Sequence, residues 1–324
     1  MGNQTTTKSM STDLNELLKS KIINGWKLWW LITIPISAVM LIAMVRVDLT
    51  SAKGVSSMIQ LSVRHAVPLL FVAFATSSVQ VLFPGAFSRW LLRNRKFIGL
   101  SFAAAMGWQL TFILWLVTVH SEYYVSEVYV LSDVVEGVSS YALLIAMVLT
   151  SFKFGRSRLT PKQWKLLHTI GIYWLWCYAW IAYWYALFVY ESPALFIDYV
   201  YYWGGFLAWG LRLAAWSKKR SKQSVGQSTT DGSSTSLILT VGYAAFVVGV
   251  TGISFARVWS PQVFEFMYGF KVIELVDPYI PYSPLIPLYP MFMMILGASL
   301  MVKSRRVSGL GKYVNCTGQS GQLK

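Results

Sequence analysis

The stretch KLWWLITIPISAVMLIAMV (27–45) carries one charged residue, Lys27, at its first position. Wound as a helix at 1.5 Å per residue it reaches about 28 Å, close to the thickness of a bilayer's hydrocarbon core. Lipid satisfies no backbone N–H or C=O, so a run of this kind crosses only as a helix. Runs of similar length and apolarity recur at 65–87, 97–119, 128–151, 167–190, 196–216, 237–256 and 284–302. The expected fold is therefore all-α, a polytopic membrane helix bundle of about eight transmembrane helices. The run at 128–151 has Asp133 and Glu136 in its first turns, which moves its expected start toward higher numbers. Composition agrees: 55% of residues are hydrophobic and 13% charged, against roughly 25% charged in soluble domains.

The formal net charge is +15, and the positions of the charges decide what that means. Short cytoplasmic loops collect Lys and Arg while translocated loops do not. With the N-terminus in the cytoplasm, 23 of the 28 basic residues fall on that side; only Arg46, Lys53, Arg64, Arg257 and Lys271 do not. Ten of the 13 acids, Glu122, Glu127 and Asp198 among them, fall on the other side or within the helices. The sequence thus predicts both termini in the cytoplasm of a plasma membrane, the inner membrane in a bacterium. The positive charge serves insertion and anionic lipid rather than a nucleic-acid partner, since no aromatic-interleaved basic stripe forms a soluble binding face. Cys177 and Cys316 are too few for a disulfide framework or a thiolate metal site. Met1-Gly2 with Thr6 matches the short myristoylation pattern.

The chain divides into a cytoplasmic N-terminal segment (1–26), a six-helix membrane domain (27–216), a cytoplasmic linker (217–236), a two-helix extension (237–303) and a cytoplasmic tail (304–324). The linker follows from the polar run KKRSKQSVGQSTTDGSSTS. Pro278, Pro281, Pro284, Pro287 and Pro290 predict an extended approach to the eighth helix and a kink at its start.

Two blocks of the six-helix part carry a recognisable pattern. RNRKFIGLSFAAAMGWQL (93–110) resembles the Arg-Arg-x-x-Gly-Leu opening of the third helix in the ferric-reductase-like transmembrane domain family. MVLTSFKFGRSRLTPKQWKLLHTIGIYW (147–174) resembles that family's Leu-x-x-Thr-Ser helix end, basic loop and Trp-x-x-Leu-His helix start. The chain is similar in this region to the membrane haem subunit of the periplasmic methionine sulfoxide reductase system. The resemblance spans roughly residues 27–190 and implies a core that carries b-type haem between histidines of the third and fifth helices. It also implies electron transfer across the membrane to a redox or membrane-protein partner.

The implied ligand set is incomplete in this sequence. Gln109 stands at the third-helix ligand position, and an amide is a poor haem ligand; Ile181 stands at the second fifth-helix position. Both lie about 20 Å from the cytoplasmic helix ends, at one depth, so one expected ligand pair is lost together. His168 matches the remaining family histidine, with Met106 or Tyr178 as an unconventional partner, or serves as an interfacial hydrogen-bonding residue. His65 and His120 sit at outer helix ends. Trp174, Trp176, Tyr178, Trp180, Tyr183, Trp184 and Tyr185 crowd the fifth helix, as packing, as an electron relay or as a platform for a quinone. Two readings lead: transmembrane electron transfer with an atypical haem or a quinone, and a haem-free assembly, anchoring or partner-binding subunit. A third, transport of a solute or lipid, calls for charged or broken helices near the bilayer centre, which are scarce here. No paired carboxylates, phosphate loop or Cys/His cluster point to another chemistry.

Overall fold

A computed structural model of the protein describes residues 16–190, 193–222, 232–276, 279 and 285–318. Met1, Gly2 and Thr6, residues 223–231 of the proposed linker, and Pro278, Pro281 and Pro284 lie outside them. The helices are α1 (Trp26–Arg46), α2 (Ala52–Leu82), α3 (Ala86–Val119), α4 (Leu131–Thr150), α5 (Pro161–Phe188), α6 (Phe196–Lys222), α7 (Gly232–Ser254), α8 (Ala256–Tyr268) and α9 (Tyr289–Gly318). Among the described residues there is no strand, and the fold is an all-α bundle.

Six helices are long and apolar enough to cross a membrane: α1 to α4, α7 and α9. The expected runs 167–190 and 196–216 fall in α5 and α6, with 28 and 27 residues. Their Trp and Tyr rings bury well, yet the N–H and O–H tips lower the mean hydropathy. The runs at 65–87 and 97–119 underestimate their helices, because α2 starts at Ala52 and α3 at Ala86. Charges such as Arg89 and Arg93 end an apolar run but not a backbone hydrogen-bond ladder. α4 begins at Leu131, after a π-helical turn over Tyr124–Val128, as its early acids suggested. Both ends of the stretch 217–236 are helical, α6 running to Lys222 and α7 starting at Gly232.

Capping chemistry sets the starts. The Ser51 hydroxyl accepts from Gly54 N at 3.1 Å before α2. Thr160 and Gln163 bond reciprocally before α5, with Pro161 at the first helical position. In the tight α1–α2 turn, the Thr50 hydroxyl and amide on Asp48 hold its carboxyl below the usual carboxylate range.

α2 is the hub, packed against α1, α3, α5 and α6. Pro68 inside it has no N–H, which leaves the Arg64 carbonyl without its helical donor. The Tyr201 hydroxyl of α6 donates to that carbonyl at 2.7 Å. At the end of α2, Lys218 Nζ donates to the last carbonyls, Val81 at 2.9 Å and Leu82 at 3.4 Å. Tyr201→Phe strands the Arg64 carbonyl, and we expect it to lower stability by about 1 kcal/mol. Thermal unfolding in detergent checks this, and an unchanged midpoint would show that the Arg64 carbonyl is satisfied by other means.

α7 and α9 pack along each other and α9 also meets α6. Their approach depends on small residues. A Cβ on Gly297 would stand 2.6 Å from both the Gly242 carbonyl oxygen and the Phe246 nitrogen, closer than atoms sit, so the backbones touch directly. Pro290 lies in the first turn of α9 and packs on Gly252. α8 crosses the end of the bundle remote from the Lys218 contacts, where Arg257 donates to the Leu187 carbonyl at 3.1 Å.

Candidate functional site

One end of the bundle gathers the basic residues of α3, the α4–α5 connection and α6. There a cavity of about 460 Å³ opens among α2 to α6. Its cationic and titratable lining is Arg95, Lys96, Arg156, Lys165, His168 and Arg212, and among the described residues no Asp or Glu lines it. Leu70, Phe102, Leu144, Ile172 and Leu175 form its apolar part.

His168 is half-buried in this wall. Its ring lies on Trp164, centroids 4.3 Å apart, and the Arg156 guanidinium sits 4.0 Å over the same indole. Trp164 Nε1 donates to the Thr150 carbonyl at 3.1 Å, tying the start of α5 to the end of α4. His168 Nε2 lies 3.0 Å from the Thr150 hydroxyl. That hydroxyl donates to the Ala146 carbonyl at 2.7 Å, so it accepts from histidine and the ring proton is assigned to Nε2.

The other expected ligand positions are occupied by packing. Gln109 is buried, and its Oε1 accepts from the Tyr141 hydroxyl at 2.9 Å. The same hydroxyl lies 3.2 Å from the Met106 carbonyl. Ile181 is buried in the main hydrophobic core. Neither Met106 nor Tyr178 lines the cavity, and Tyr178 stands about 15 Å along the helix from His168. His65 bonds the Leu61 carbonyl of its own helix at 2.8 Å, and His120 is the C-cap of α3. Among the described residues no three His, Cys, Asp or Glu side chains converge. The residues present therefore do not fit a b-type haem held by two imidazoles.

The aromatic residues of α5 form an ordered column. Phe74 stacks on Trp176 (5.2 Å), Trp176 on Trp180 (5.8 Å) and Trp180 on Tyr202 (5.5 Å). Both indoles also donate into α6, Trp176 to the Gly205 carbonyl at 2.9 Å and Trp180 to the Tyr202 carbonyl at 3.1 Å. These bonds make the column a seam between helices. Trp174 lies apart, donating to Ser140 of α4 at 3.1 Å.

Sequence reasoning reached His168, with Trp164 and Thr150 in the same motif, and missed the guanidinium pair that shares its cavity. Arg95 entered it as part of the third-helix motif and Arg212 only as a marker of orientation, although Arg212 interrupts the apolar run of α6, a signal that it has a partner. Tyr141, which holds Gln109, had no signal at all. Comparison of the chain with protein-family models, curated proteins and solved structures found no match, so its chemistry is argued from this geometry.

Proposed function

We propose that the chain is a haem-free membrane subunit of ferric-reductase-like type that works by binding at the basic end of its bundle. In this reading it crosses a plasma membrane, the bacterial inner membrane, eight times, with both termini and the basic end in the cytoplasm. The distribution of Lys and Arg supports the orientation, and the lengths of α5 and α6 support two crossings beyond the six apolar helices.

The observation that carries the haem-free reading is the state of the ligand positions. Gln109 is hydrogen-bonded to Tyr141, Ile181 is packed in the core, and the Nε2 of His168 is engaged by Thr150. A haem iron in such a bundle needs axial nitrogens on facing helices. Electron transfer is the second reading. The column from Phe74 to Tyr202 favours it, but aromatic rings relay electrons only between a donor and an acceptor, and packing accounts for the same contacts.

The test is an ultraviolet–visible spectrum of the full chain, purified in detergent after expression with ample haem. We expect no Soret band, oxidised or dithionite-reduced, in the wild type or in His168→Ala, and a stability loss of about 1 kcal/mol in the variant from its missing hydrogen bond. A band near one haem per chain that disappears in His168→Ala would overturn the proposal.

A further inference from the structure

The cavity beside His168 presents positive charge with no Asp or Glu in its wall among the described residues. Arg95 comes from α3 and Arg212 from α6, yet both converge on neighbouring carbonyls of α2. Arg95 Nε donates to Ala73 O at 3.2 Å and Arg212 Nε to Phe74 O at 2.9 Å. Arg212 also lies 4.0 Å over the Phe74 ring and 4.7 Å over that of Tyr173. Each guanidinium is thereby fixed through its Nε edge, and among the described residues no acceptor is bonded to its terminal nitrogens. Two like charges held this near one another repel, and partial burial strengthens the repulsion.

Lys96, Arg156 and Lys165 add exposed cations at the rim. Thr150, Ser151 and Thr169 place hydroxyls in the wall. Behind these groups the lining turns to Leu70, Phe102, Leu144, Ile172 and Leu175. A cationic mouth leading to an aliphatic interior, at the level where a bundle leaves the hydrocarbon, matches an anion that carries a hydrocarbon chain. Planar guanidinium donors suit the oxygens of a phosphate.

We propose that this cavity binds the phosphate headgroup of an anionic lipid from the leaflet on the basic side, its acyl chain lying against the aliphatic wall. The site rests on the binding role and orientation proposed above. The recognised chemistry is the phosphate; the apolar wall selects the lipid over free phosphate. Basic recesses between membrane helices are a known form of lipid headgroup site. The anion would bridge Arg95 and Arg212, so bound lipid would also tie α3 and α6 to the hub helix.

The test uses the full chain in neutral detergent, titrated with phosphatidic acid, phosphatidylcholine, inorganic phosphate or glycerol 3-phosphate, and read by thermal shift and native mass spectrometry. We expect saturable stabilisation by phosphatidic acid. Phosphatidylcholine and the two soluble phosphates should each bind at least tenfold more weakly. Arg95→Gln with Arg212→Gln should lower the affinity for phosphatidic acid at least tenfold. Because those residues also brace α2, Lys165→Glu provides an exposed second probe and should weaken binding severalfold, while Lys219→Glu, away from the cavity, should not. Equal binding of phosphatidylcholine, or undiminished binding in the Lys165→Glu and Arg95/Arg212 variants, would overturn the site. Soluble phosphate binding as tightly as the lipid would overturn the lipid assignment. Haem absorbance is read separately: a haem-free protein that ignores phosphatidic acid loses this inference alone, and a haem-loaded one loses the preceding proposal.

Discussion

Gly297→Val is expected to lower the thermal midpoint of the detergent-solubilised protein by several degrees, whereas Gly210→Ala should leave it unchanged or raise it. The contrast follows from what a side chain meets at each place. Gly210 has nothing within 4 Å of where a Cβ would stand, so alanine there removes a helix-weakening glycine and gains up to about 1 kcal/mol. At Gly297 the Cβ alone would sit 2.6 Å from backbone atoms of Gly242 and Phe246, and backbone cannot rotate away. α7 and α9 must separate, losing contacts along their shared face, at a cost of about 3 kcal/mol. The same substitution should weaken a disulfide cross-link engineered between the two helices. A normal midpoint in Gly297→Val would mean that the pair does not pack as closely as described.

The second large effect is expected at Trp180. Its side chain has 0% exposure, stacks between Trp176 and Tyr202, and meets the notch left by Gly205, where an added Cβ would stand 2.7 Å from the indole. Trp180→Ala empties the centre of the seam between α5 and α6 and should cost about 3–5 kcal/mol. Trp180→Phe keeps a ring and loses only volume and the bond to the Tyr202 carbonyl, so it should cost clearly less. Unfolding midpoints of the two variants in detergent measure the difference. If alanine were no worse than phenylalanine, the column would not be the brace inferred from its stacking.

Apolar run length located the long helices well, and six of them are long and apolar enough to cross a membrane, because lipid leaves the backbone no alternative to the helix. It located their ends poorly, since α2 and α3 carry charged turns that remain helical outside any apolar window. The aromatic crowd on α5 was visible as composition. Its order, ring on ring with each N–H aimed at α6, depends on a neighbouring helix and has no signature in sequence spacing. The site shows the same division. His168 and its Trp164 and Thr150 neighbours were legible as adjacent pieces of one motif. The convergence of Arg95 and Arg212 on α2 was not, because Arg212 and Phe74 are 138 positions apart and only packing brings them together.

The bonds that fasten the helix ends also fix a matter of counting. Arg93 and Asn24 both hold the Leu18 carbonyl, which brings the segment before α1 to the opening turns of α3. Between them the chain must therefore cross the bilayer an even number of times, so α1 and α2 cross together or not at all. Lys218 on the Val81 carbonyl imposes the same parity on the four helices α3 to α6. With α3 and α4 both apolar enough to cross, the aromatic pair α5 and α6 can only traverse as a couple. Membrane-impermeant labels at cysteines placed near residue 20, residue 84 and residue 218 must then all report one and the same face.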